Sequence, residues 1–196
     1  EGIDVVIDGH SHSVIEAGTE YNGTFLTSAG TKYSHVGIII MDEENIETKL
    51  ISAADYNKVN EEVNAYVNEV NTEIDTQLSE VFATTEILLD GNKDPGVRTQ
   101  ETNLGNFSAD AILWAANEAV GGGVDAAITN GGGIRESIQA GDISMKDMKT
   151  VFPFGNTVTT VEITGAQLIE VLEASTFCTP VSVGAFPQVS AIEFTI

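Results

Sequence analysis

Residues 2–12 read Gly2-Ile3-Asp4-Val5-Val6-Ile7-Asp8-Gly9-His10-Ser11-His12. An apolar run ends at a glycine, and two histidines follow with one serine between them. The run reads as a buried strand, and Gly9 as a sharp exit from it. His10 and His12 then stand at a strand end, where their imidazoles can converge on one point. That is half of a metal site. A zinc centre takes roughly three or four protein ligands, and a two-metal centre takes more. The only other histidine is His35, and nothing else in the chain completes a ligand cluster. The chain also starts at Glu1 rather than at Met. The expectation is a piece of a longer protein whose remaining ligands lie upstream.

Residues 3–55 read as strands and tight turns. Thr24–Ala29, Val36–Met41 and Glu47–Ala53 are short β-rich runs, and Asn22-Gly23 is a turn signal. Residues 56–82 change period. Val59, Val63, Tyr66, Val67, Val70, Ile74, Leu78, Val81 and Phe82 recur at spacings of three and four, with acids and Asn between them. This predicts an amphipathic helix. Without Gly or Pro it could link two domains stiffly; the plainer alternative is a surface helix of one domain.

Beyond Thr84 the pattern is mixed. Glu86–Leu89 is a strand candidate, and Asn103–Ala119 a helix with Leu104, Phe107, Ala111, Ile112 and Ala115 on one face. Val124–Thr129 is a short buried strand, Val158–Ile163 an alternating one, and Ser190–Thr195 a last one. Gly165–Ala174 is a helix with Thr164 as its N-cap. No internal repeat or low-complexity segment is present.

Composition narrows the function classes. Thirty acids against eight bases give a net charge of −22 over 196 residues. Such a surface repels polyanions, which argues against nucleic-acid polymers and anionic membranes as partners. The few basic residues gain meaning from their scarcity, since a buried-looking Arg here suits a specific anionic client. One cysteine, Cys178, permits no intrachain disulfide, which fits a cytosolic protein or a disulfide-free exported one. No run of about 18 apolar residues is present to span a membrane.

Four further strings carry chemistry. Asn130-Gly131-Gly132-Gly133-Ile134-Arg135 follows a buried strand. Its glycines let a ligand approach the backbone and reach N–H groups, and Arg135 offers a planar fork for phosphate or carboxylate. A tight turn with a surface Arg explains the string equally well, and no Walker-type Gly-Lys-Ser/Thr follows. Arg98, in Val97-Arg98-Thr99-Gln100-Glu101-Thr102-Asn103, is a second anion candidate beside what is otherwise a capped helix start. Val151-Phe152-Pro153-Phe154-Gly155-Asn156 places Phe154 in a turn, where it could present a flat face to a base, although such a Phe is more often core. Asp90, Asn92, Asp94 and Glu101 have the spacing of a calcium loop, but Pro95 stands where that loop needs Gly and no helix precedes it.

These strings, in this order, resemble the 5′-nucleotidase family of metallophosphoesterases, and the resemblance spans nearly the whole chain. It implies an α+β architecture. Residues 1–55 would be the end of an α/β metallophosphoesterase sandwich sheet, 56–82 an interdomain linker helix, and 83–196 an incomplete, mixed α/β substrate-binding domain. His10 and His12 match two ligands of a centre holding two divalent metal ions, zinc, manganese or similar. Arg98 and Arg135 match arginines facing the substrate's phosphate and ribose, Asn130 an asparagine near the base, and Phe154 one of two aromatics that sandwich it. Gly132, in the glycine run, joins this substrate-binding set. Two departures stand out. Gln100 occupies a place where some members carry a second Arg, and the other aromatic and a ribose-binding acid fall beyond Ile196.

The resemblance further implies a nucleotide substrate, a nucleoside 5′-monophosphate or a close relative such as a nucleotide sugar or cyclic nucleotide. It implies phosphate release at the two metals, domain rotation that gates substrate access, and a secreted, cell-surface or periplasmic location. The chain itself is expected to be inactive, because most metal and catalytic residues are missing from it. The rival readings are a non-catalytic nucleoside-binding or surface interaction module and a calcium-stabilised structural domain. The sequence leaves the oligomeric state open.

Overall fold

The computed structural model describes residues 2–43 and 45–196. The chain divides into two units, Glu1–Asn68 and Glu69–Ile196. In the first unit, β1 (Val5–Ile7), β2 (Val14–Tyr21) and β3 (Thr24–Ala29) form a three-stranded sheet in the order β1-β3-β2. β1 runs parallel to β3, with Val5 opposite Phe25. β2 and β3 form a hairpin closed by Tyr21 opposite Thr24. The two turn residues are Asn22 and Gly23, at φ 51° and 83°. Both lie in the left-handed region that a two-residue hairpin of this hand requires, which is why Asn-Gly sits there. A second hairpin joins β4 (His35–Met41) to β5 (Ile46–Ser52), in register from His35–Ser52 to Met41–Ile46.

The helix expected over 56–82 forms as α1 (Glu61–Leu78). The Asn60 side chain accepts from the Val63 amide at 3.1 Å, and Glu61 and Glu62 favour the positive end of the helix dipole. Val81 and Phe82, which extended the helical period in sequence, belong instead to β6 (Val81–Thr85).

The second unit contains α2 (Asn103–Val120), β7 (Ala127–Asn130), β8 (Gly141–Ser144), α3 (Met145–Val151), α4 (Gly165–Thr176) and β9 (Pro187–Ser190). β6 pairs antiparallel with β8, β7 pairs antiparallel with β9, and α2 packs on β7 and β9. Hydroxyl caps start all three helices. Thr102 accepts from the Gly105 amide, while Ser144 with Asp147 and Thr164 with Gln167 form reciprocal capping boxes. The core consists of Val97, Leu104, Ile134, Ile138, Ile143 and Val151. Val97 and Ile134 immediately precede Arg98 and Arg135, so the core fixes the backbone from which both arginines project.

Three strand expectations shift. Glu86–Leu89 is not a strand. The Thr85 hydroxyl bonds to Ile87 at both its carbonyl and its amide, which turns the chain out of β6 and leaves Leu89 a single bridge to Ile138. Val158–Ile163 alternates in sequence but is irregular, because among the described residues no strand pairs with it. Alternation marks a half-buried strand only where a ladder partner exists. The last strand is Pro187–Ser190 rather than Ser190–Thr195; Ala191 takes φ 60° and ends the ladder. The helices expected at 103–119 and 165–174 form at those places, each slightly longer.

Candidate functional site

In the first unit, His10 and His12 follow β1 and are exposed. Both adopt left-handed backbone, at φ 64° and 61°, which is uncommon for a residue with a Cβ. The loop between the strands is tied by the Ser11 amide to the Gly9 carbonyl at 2.7 Å and by the Ser11 and Ser13 hydroxyls at 3.0 Å. Among the described residues no group of three or more His, Cys, Asp and Glu side chains could hold a metal ion. The acids and amide of the calcium-like spacing do not assemble into one either. The Asp90 carboxylate accepts from the Asn92 backbone N–H, and Glu101 accepts from the Asn106 side chain. Two histidines are fewer donors than a metal centre needs.

In the second unit, segments distant in sequence meet. The glycine run Gly131–Gly133 makes one tight helical turn directly after β7. A Cβ placed on Gly131 would overlap the Val97 carbonyl oxygen and lie 3.3 Å from the Arg98 nitrogen. Only glycine permits that approach, and it brings the Arg98 segment against the start of the run. The Arg135 amide donates to the Val151 carbonyl at 2.9 Å, at the end of α3. Phe154 lies three residues on from Val151, and the Arg135 guanidinium carbon stands 5.6 Å from the centre of its ring. That is within range of a cation–π contact. Arg135 also donates through Nη1 to the Gly132 carbonyl at 3.2 Å.

Electrostatics places Arg98 in the same group. Its pKa is lowered first by burial and second by the positive charge of Arg135; a guanidinium stays charged at neutral pH regardless. Its Nε is buried without a hydrogen-bond partner. The ion pair found among the described residues joins Lys146 to Asp75, and neither arginine takes part in it. The two cationic forks thus lie within each other's field, Arg135 stands beside the exposed Phe154 ring, and neither fork is paired with a described carboxylate. Asn130 is exposed and donates through Nδ2 to the Gly184 carbonyl at 2.9 Å.

One feature differs from the sequence expectation. The Gly131 and Gly132 amides do not face a ligand. They donate to the Phe186 and Gly184 carbonyls at 2.8 and 2.9 Å. Side chains, rather than these two amides, are what the site offers an anion. The same contacts expose a segment that the sequence did not single out. Val183 donates its amide to the Arg98 carbonyl at 3.3 Å, so residues 183–186 touch both the Arg98 segment and the glycine turn. These contacts are made by backbone atoms, which have no side-chain signature. Gln188 was also missed. It is polar yet 1% exposed on β9, and a lone Gln in a short strand gives little warning of such burial.

Residues 81–196 match the family described as 5′-nucleotidase, C-terminal domain. The chain is 36% identical over 208 residues to the trifunctional nucleotide phosphoesterase protein YfkN of Bacillus subtilis (strain 168), covering 100% of this chain and 14% of that protein. It is 39% identical over 121 residues to a 5′-nucleotidase of Vibrio parahaemolyticus, covering 62% of this chain and 20% of the relative. The crystal structure of the 5′-nucleotidase precursor from Thermus thermophilus matches with a TM-score of 0.62 at 26% identity, over 97% of this chain and 41% of that one. The chain therefore spans between 14% and 20% of the length of these two curated relatives.

Proposed function

The chain belongs to the 5′-nucleotidase C-terminal domain family, and we propose that the face around Arg98 and Arg135 binds the nucleotide of a metal-dependent phosphohydrolase, which releases phosphate from nucleoside 5′-monophosphates or closely related nucleotides. The observation that carries this reading is the pairing of two arginines, one of them desolvated by burial, without a described carboxylate partner in a chain of net charge −22. Like charges held together and partly desolvated are unfavourable. A phosphate offsets that cost, since each guanidinium can donate to it in bidentate fashion.

The remaining roles follow from position. Phe154 offers the ring face not covered by Arg135 to the base. Asn130, with Nδ2 occupied by Gly184, turns an amide oxygen toward a base or ribose donor. Gly132 serves the site by leaving room for Gly184 and the Asn130 amide, since a Cβ there would lie 2.8 Å from the Gly184 carbonyl oxygen and 3.0 Å from Asn130 Nδ2. During phosphoryl transfer the arginines would offset the developing negative charge. His10 and His12 are read as two ligands of a divalent-metal centre, zinc or manganese, completed by residues outside this chain. Their unit supplies no further step. An exported setting, extracellular or periplasmic, fits the acidic surface. No described helix is long and apolar enough to cross a membrane.

The test is a titration of the chain with AMP, adenosine and inorganic phosphate, followed by NMR. AMP should bind more tightly than either part alone, and Arg135→Ala should weaken AMP and phosphate but leave the fold intact. Equal affinity for AMP and adenosine, or an Arg135→Ala chain that binds AMP unchanged, would overturn the reading.

A further inference from the structure

We infer that Gln188 is a positioning residue for Arg98, clamping the backbone on both sides of it; the inference rests on the reading of Arg98 as a nucleotide-binding residue. Gln188 lies on β9 and is 1% exposed. Its Nε2 donates to the Val97 carbonyl at 3.1 Å and to the Gln100 carbonyl at 2.8 Å. A carboxamide nitrogen carries two hydrogens, so both are committed, and the acceptors bracket Arg98. Because both partners are carbonyls, only the NH2 end can face them. This fixes the orientation of the amide, which geometry alone often leaves open.

The other end of the side chain completes the argument. Gln188 Oε1 is buried and has no hydrogen-bond partner. A buried acceptor without a partner is costly, and a site that needed only packing would be better filled by an apolar side chain. Room for the carboxamide exists because α2 carries Gly105 at that point. A Cβ on Gly105 would overlap Oε1 and Cδ of Gln188 and lie 2.8 Å from its Cγ. Gln188 also stands opposite Thr129 on β7, one residue before Asn130. One side chain therefore joins the segment that carries Arg98 to the strand pair that delivers Asn130 and the glycine turn. The Nε of Arg98 has no hydrogen bond of its own. Its placement relative to Arg135 thus depends strongly on the backbone that Gln188 holds.

The experiment is a double-mutant cycle on the 196-residue chain, with AMP as the probe and NMR titration as the readout. Gln188→Met keeps the length of the side chain and removes both donors. It should weaken AMP binding about tenfold, the size expected of a contact-mediated coupling. In an Arg98→Ala background the same change should have almost no effect. Gly105→Ala, which displaces the Gln188 amide from the helix side, should reproduce the loss, and it carries the same cycle should Gln188→Met fail to fold. An equal loss with and without Arg98 would make Gln188 a structural residue only and overturn the inference. So would an unchanged affinity in Gln188→Met while Arg98→Ala weakens binding. If Arg98→Ala itself leaves AMP binding unchanged, the nucleotide reading fails and the inference fails with it.

Discussion

Gly131→Ala should destabilise the second unit by about 2 kcal/mol, while Gly133→Ala, two residues away, should not. The reason is the surface each Cβ would meet. At Gly131 it would overlap the Val97 carbonyl oxygen and lie 2.6 Å from the carbonyl carbon. Carbon atoms in contact settle about 3.5–4.0 Å apart, so one backbone segment has to retreat by about 1 Å. Neither can do so freely. Val97 is fully buried; its amide donates to the Asn92 carbonyl at 2.8 Å and its own carbonyl accepts from Gln188. Forced overpacking costs about 1–3 kcal/mol, and a lost hydrogen bond adds about 1 kcal/mol. Against this, removing a glycine from the unfolded chain contributes about 0.4–1 kcal/mol of stability. The net is about 2 kcal/mol, against stability.

At Gly133 the same Cβ would meet only the Asn130 Oδ1, at 3.5 Å, an ordinary contact. There the unfolded-state gain stands almost alone, so Gly133→Ala should be neutral or stabilising by up to about 1 kcal/mol. Urea unfolding followed by Trp114 fluorescence suits the comparison, because Trp114 is the chain's only tryptophan and lies on α2 in the second unit. With a slope of about 1–3 kcal/mol per M, Gly131→Ala should lower the midpoint by roughly 1 M at unchanged slope. A Gly131→Ala midpoint equal to wild type, or a larger loss in Gly133→Ala than in Gly131→Ala, would refute the close approach of the two segments. The folded Gly133→Ala chain then reports on the ligand: if a nucleotide lies on the glycine turn, its AMP affinity should fall without loss of stability.

Two further outcomes follow from the acids and the histidines. The Asp147 carboxyl is held below its ordinary pKa chiefly by hydrogen bonds from Ser144, from the hydroxyl at 2.6 Å and the amide at 2.8 Å. A folded pKa below the unfolded one means that this stabilisation is complete above about pH 4 and is lost as pH falls through the lower folded value; melting curves of Asp147→Asn should therefore have a flatter acid limb than wild type, and parallel limbs would contradict the assignment. Calorimetry with zinc or manganese should reveal no submicromolar site, and added AMP should release no phosphate above background; a tight site abolished by His10→Ala would mean that two histidines are not all the ligands this chain brings together.

What the sequence made legible was whatever a side chain can signal at short range. Thr164 before a periodic run announces a helix start, Asn22-Gly23 a hairpin, and the order of Arg98, Asn130–Arg135 and Phe154 the C-terminal domain family to which the chain belongs. The helical period over 56–82 overruns at both ends: Val59 precedes the helix, which starts at Glu61, and Val81 and Phe82 satisfy either period, so that only pairing with β8 decides between them. Val158–Ile163 failed for the complementary reason, since its alternation has no partner strand among the described residues.

The candidate site was legible as a set of residues but not as a surface. Nothing in the spacing of Arg98, Arg135 and Phe154 requires them to meet. What brings them together is written in backbone atoms: the Val97 carbonyl against Gly131, the Val151 carbonyl on the Arg135 amide, and the Gly184 carbonyl shared by Asn130 and Gly132. Carbonyls are the same in every residue, so no sequence pattern marks them. Such a candidate site therefore announces its chemically distinctive side chains while concealing the backbone contacts that aim them. Gln188 shows the consequence: the residue that bonds to the backbone on both sides of Arg98 is far from it in sequence, in a strand that alternation placed later in the chain than it lies.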